Sequence, residues 1–112
     1  MAHALTADSQ RAALELHQIL LELDPSRWRA DLAQSMRPRI EVLRGHLTEL
    51  ARMADHDAIR ERMRELSQQL EQSMPSSDAQ QRWQDFRLKI SPAYERLAAS
   101  LNDLDIHVPS LR

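Results

Sequence analysis

Apolar residues recur at intervals of three and four along nearly the whole of this chain, and that period places them on one face of an α-helix. Ala13, Leu16, Leu20 and Leu23 make a first stripe, which Ala12 and Ile19 widen. Trp28, Leu32, Met36, Ile40, Leu43, Leu47, Leu50 and Ala54 make a second. Ile59, Met63, Leu66, Leu70 and Met74 form a third, and Trp83, Phe86, Ile90, Tyr94, Leu97, Leu101 and Leu104 a fourth. The alternation that a strand needs is missing, and one glycine, Gly45, in 112 residues leaves no supply of hairpin turns. The chain therefore reads as all-α.

Capping and breaking residues divide the stripes into helices. Thr6 is a cap for a first helix over 7–24, with Asp8 in its first turn, and Asp24-Pro25 ends it because proline forbids the helical region to the residue before it. Ser26 caps a second helix over 26–54. Its stripe crosses Pro38 without losing phase, which predicts one helix kinked there, with a break at Arg37 as the alternative. The third stripe is one position out of phase with the second. With Asp55 and Asp57 as starters, this predicts a tight reversal and a helix over 57–74. Met74-Pro75-Ser76-Ser77-Asp78 is a loop, and it leads into a helix over 77–104, kinked near Pro92. Residues 105–112 lack periodicity and form an extended tail or an edge packed on the bundle.

Three brief connections require neighbours to run antiparallel, so the expected architecture is one domain, an up-down-up-down four-helix bundle. Its helices alternate short and long. A long helix of 28 residues would span about 42 Å and overhang the shorter ones.

Composition narrows the function. At 42% hydrophobic and 29% charged, the chain is too apolar for disorder and too polar for a membrane-embedded protein. Without cysteine there are no disulfides, thiolate metal sites or cysteine nucleophiles. The first residues carry neither a basic start nor an apolar run, so a cytoplasmic protein without membrane insertion is expected. A net charge of −2 disfavours nucleic acid. Among the 15 basic residues only Lys89 is a lysine, the codon bias of a GC-rich bacterial genome.

Candidate sites are few. His3, His17, His46, His56 and His107 never pair at helical ligand spacing, so no metal and no cofactor is expected. His46 and Glu49, three apart, read as a surface hydrogen-bonded pair. The segment from Arg27 to Arg44 is basic, its five arginines opposed only by Asp31 and Glu41. Arg37, Arg39 and Arg44 there read as a solvated face with internal pairs, Arg37 with Glu41 and Glu41 with Arg44, or as a docking face for an acidic partner. Serines such as Ser67, Ser73, Ser91 and Ser100 have no histidine at helical spacing, which leaves an enzyme without support.

The bundle resembles the architecture of histidine phosphotransfer domains, which carry an exposed histidine in mid-helix, commonly followed by lysine three residues on and glycine four on. His46 would take that place. Glu49 and Leu50 stand at the other two positions, where they would repel the phosphoryl group and crowd a receiver domain. The expected function is thus a non-catalytic helical interaction or accessory domain, alone or as the soluble part of a larger protein, with a phosphotransfer bundle centred on His46 as the alternative. A protein partner or self-association would use surplus apolar residues such as Leu14, Leu21, Val42 and Leu88.

Overall fold

A computed structural model describes the backbone of residues 2–111 and the side chains of residues 6–111; Arg112 of the expected tail and the side chain of His3 lie outside that range. Four α-helices succeed one another: α1 (Ala2–Glu22), α2 (Leu32–Met53), α3 (Asp57–Ser73) and α4 (Gln80–Asp103), and no strand occurs among the described residues. Each helix packs on two others in a closed ring, α1 on α2, α2 on α3, α3 on α4 and α4 on α1. The stripes face inward and merge into one apolar core, whose largest fully buried side chains include Trp83, Tyr94, Leu16, Leu20, Met36 and Met63. Two of the pairings run in opposite sequence order. Between α2 and α3, Thr48 meets Ser67 and Ala54 meets Arg60. Between α1 and α4, Leu23 meets Gln84 and His17 stacks on Tyr94.

The ends of the helices depart from expectation. α1 begins at Ala2, because the residues ahead of Thr6 are helix formers with no breaker among them, so Thr6 lies inside the helix and does not cap it. α2 begins at Leu32, five residues later than a Ser26 cap would allow. Asp24 takes the capping role instead. Its carboxylate accepts from the Ser26 amide at 3.0 Å and the Ser26 hydroxyl at 2.6 Å, and these bonds hold the carboxyl below its ordinary range. The cap closes a single 3-10 turn over Pro25–Arg27, and Trp28 then turns extended to lay its ring against the core. α4 likewise starts at Gln80 and not at residue 77, since the Ser77 hydroxyl accepts from the Ala79 amide and keeps the segment in a turn. The helices run to 21, 22, 17 and 24 residues, so only α3 is short and the expected overhang does not arise.

Pro38 and Pro92 both sit inside uninterrupted helices, and no break occurs at Arg37. Each proline deprives one carbonyl, four residues back, of its donor. Here those carbonyls belong to Gln34 and Leu88, and both residues are exposed like the prolines themselves, on the side of the helix where solvent can replace the missing donor. Leu104 is 41% exposed rather than buried, because the chain leaves the helix at Asp103 before that position can turn inward.

Beyond α4 the chain does not trail away. Asp105 adopts a left-handed φ of 62°, the Ile106 amide reaches back to the Leu101 carbonyl at 3.0 Å, and the residues after it lie along the seam between α1 and α4. Val108 is buried and Ile106 and Leu111 pack partly against the core. Tyr94, the only tyrosine, is fully buried and donates its hydroxyl to the Pro109 carbonyl at 2.5 Å. Burial, and secondarily the charge of Glu95, pushes that phenol up to about 12. The folded state thus keeps a proton that the unfolded chain loses near pH 10, and the associated stability is present below about pH 10 and lost as pH rises towards 12. Absorbance titration of the tyrosinate is expected to show one ionisation near 12. The Tyr94→Phe variant should lose about 1 kcal/mol at pH 7, the worth of an ordinary hydrogen bond, and lack the tyrosine contribution to alkaline destabilisation. A phenol titrating near 10 would contradict this burial.

Candidate functional site

Four of the five arginines of the basic segment, Arg29, Arg37, Arg39 and Arg44, form ion pairs within the fold. Arg37 donates to the carbonyls of Pro75 at 3.3 Å and Ser77 at 2.9 Å, pairs with Asp78 at 2.6 Å, and lies 5.6 Å from the centre of the Trp83 ring. Its expected partner Glu41 pairs instead with Arg44, at 3.2 Å, because the α3–α4 connection brings a carboxylate and two carbonyls to Arg37 at once. Arg39 reaches across to α1, meeting Glu15 at 3.1 Å and Glu22 at 3.0 Å. Partial burial lowers the affinity of that guanidinium for its proton, and the bonds to Glu22 and Glu15 more than offset it, so its pKa is raised. Arg29 pairs with Asp31 at 3.0 Å. An acidic partner would have to compete with these internal carboxylates.

His46 and Glu49 are both exposed on α2, but they do not form the expected pair: Glu49 binds Arg52 at 2.6 Å, the same spacing of three in the other direction. The guanidinium outcompetes the imidazole because it carries a full charge and several donors. Leu50 turns into the core, 8% exposed, so it does not crowd the space in front of His46 as its sequence position implied.

That space is an open groove of about 770 Å³ between α1 and α2. The buried Ala12, Leu43 and Leu50 form its floor, and the exposed Pro38, Val42 and Met53 line its outer side. Asp8, Arg11, Glu15, Arg39, His46 and Glu49 stand around the rim. Val42 and Met53 are each 60% exposed. They lie eleven residues apart, three turns of helix, and so share one face of α2, on the flank of the core stripe that borders α1. Val42 was legible as surplus to that stripe. Met53 was missed, although its distance from Val42 carries the signal.

Among the described residues no group of three or more His, Asp or Glu is placed to hold a metal ion, and no helix is long and apolar enough to cross a membrane. Ser67 bridges α2 and α3, its hydroxyl 2.6 Å from that of Thr48, and the Ser91 hydroxyl donates to the Arg87 carbonyl at 2.7 Å. No family model, curated protein or solved structure compared with the chain matches it.

Gly45 stands beside His46 inside α2, and a methyl group placed on it would meet nothing within 4 Å. A glycine in a helix interior costs about 1 kcal/mol against alanine. Nothing in the fold itself offsets that cost. Gly45→Ala is therefore expected to stabilise the chain by about 0.5–1 kcal/mol in urea denaturation; a loss of stability would mean that α2 depends on glycine there.

Proposed function

We propose that this chain is a non-catalytic helical interaction domain of the cytoplasm, and that a partner protein docks an amphipathic helix in the groove between α1 and α2. The observation that carries the reading is the pair of exposed apolar side chains, Val42 and Met53, on the wall of a groove whose floor is already apolar. Covering a side chain of that size is worth roughly 1.5–3 kcal/mol when burial is complete, so the two can anchor a complex. Val42, His46, Glu49 and Met53 succeed one another at four, three and four residues, the pattern one helix shows another along a shared line of contact.

The phosphotransfer reading keeps one observation in its favour: His46 is exposed in mid-helix with its approach uncrowded. The two readings part on what occupies the groove. A photo-crosslinking amino acid placed at Val42 or Met53 in cells is expected to trap one discrete protein adduct, and the same probe at Leu88, 65% exposed on α4, is expected to trap none. Val42→Asp should abolish the Met53 adduct while changing fold stability by no more than about 0.5 kcal/mol, as for other exposed positions. Equal adducts at all three positions would sink the docking reading. Labelling of His46 by a small phosphodonor, lost in His46→Gln, would establish the phosphotransfer reading in its place.

A further inference from the structure

The seam between α1 and α4, apart from the groove above, is filled by the chain's own segment after α4. Five side chains converge on the segment from Ile106 to Leu111 and address its main chain. Gln10 donates to the His107 carbonyl at 2.7 Å, His17 through Nε2 to the Ser110 carbonyl at 3.3 Å, and Tyr94 to the Pro109 carbonyl. Asn102 makes a two-point contact with Val108, its amide group donating to the carbonyl and its oxygen accepting from the N–H, both at 3.1 Å. Glu95 accepts from the Leu111 amide at 2.7 Å and from the Ser110 hydroxyl. Capture of an extended backbone in this manner, with an apolar side chain sunk at Val108 and two more at Ile106 and Leu111, is how clefts bind extended peptides.

We infer that the α1–α4 cleft is an extended-peptide site that residues 106–111 fill within their own chain, and that the same segment of a second copy fills it by reciprocal exchange. Every contact made in one chain is remade between two, so the exchange changes little except at the hinge. That hinge is Asp105. Its left-handed backbone is strained for a residue with a side chain, and here it turns the segment back onto its own α4. An exchanged segment leaves α4 extended and releases the strain. A short hinge holds the segment near its own cleft at millimolar effective concentration, so exchange needs protein at a comparable concentration or a passage through partial unfolding.

The chain has no cysteine, which makes single-cysteine variants clean probes. Full-length Leu14→Cys and His107→Cys are mixed at millimolar concentration, passed through moderate urea, returned to buffer and treated with a flexible bis-maleimide. Leu14 lies on α1 between Gln10 and His17, beside the bound segment. The expected product is a cross-linked pair of one chain of each kind, at about tenfold or more the yield from Leu88→Cys with His107→Cys, because only the first pair is held together by the cleft. Asp105→Gly in both partners removes the strain and should lower the yield, Asp105→Val should raise it, and Asn102→Ala should lower it by weakening the seat. Yields equal to the Leu88 control, or a yield indifferent to both Asp105 variants, would overturn the inference. Loss of helical circular dichroism in Asn102→Ala would disqualify that variant alone, leaving the Asp105 pair to decide.

Discussion

Each helix of this chain has one apolar face and a polar remainder, and burying four such faces in one core is the constraint on which everything else depends. Among the described residues the core holds 27 buried side chains drawn from all four helices and the segment after them. No pair of helices could cover its own stripes without leaving part of them wet, so the ring of contacts from α1 round to α4 and back is the arrangement that the stripes require. Pro38 and Pro92 fit the same logic. Both fall on the solvent side, as do the residues whose carbonyls they deprive, and neither interrupts the buried face.

Polar side chains then fix what the core leaves free, the paths of the connections. Asp24 closes the turn after α1, the Arg60 guanidinium binds the Ala54 carbonyl between α2 and α3, and Arg37 gathers the connection before α4 beneath Trp83. The Trp83 indole donates to the same Ser77 carbonyl that Arg37 binds, so one backbone oxygen ties α2, the loop and α4 together. These contacts satisfy backbone groups that the helix ends expose. Their value lies more in that satisfaction than in surface Coulomb attraction, which is small.

The core was legible because it is periodic. The stripe residues from Ala12 to Leu101 are buried, apart from Trp28 and Met74, which are half-covered at helix ends. Pairings were legible only where both partners share a helix, as Arg44 and Glu41 do. Arg37 with Asp78, Arg39 with Glu15, and Arg96 with Glu65 join residues far apart in the chain, and spacing says nothing about them. The groove was half legible: Val42 stood out as surplus, but the space beside it depends on how α1 and α2 part. The segment after α4 was the least legible, since the fold grips it mainly by its backbone, which every sequence shares.

For function, the two seams of α1 stand in contrast. Towards α4 the seam is filled by the chain's own extended segment, whereas towards α2 it stays open, floored with apolar side chains and walled by two that remain in water. Both seams presuppose a single cooperative core that includes α1. Differential scanning calorimetry at micromolar concentration tests that most directly. For 112 residues a single transition with an enthalpy of about 80 kcal/mol near 60 °C, equal to the van't Hoff enthalpy, is predicted. Two transitions, or a van't Hoff enthalpy well below the calorimetric one, would show that α1 is a separate unit and contradict the account.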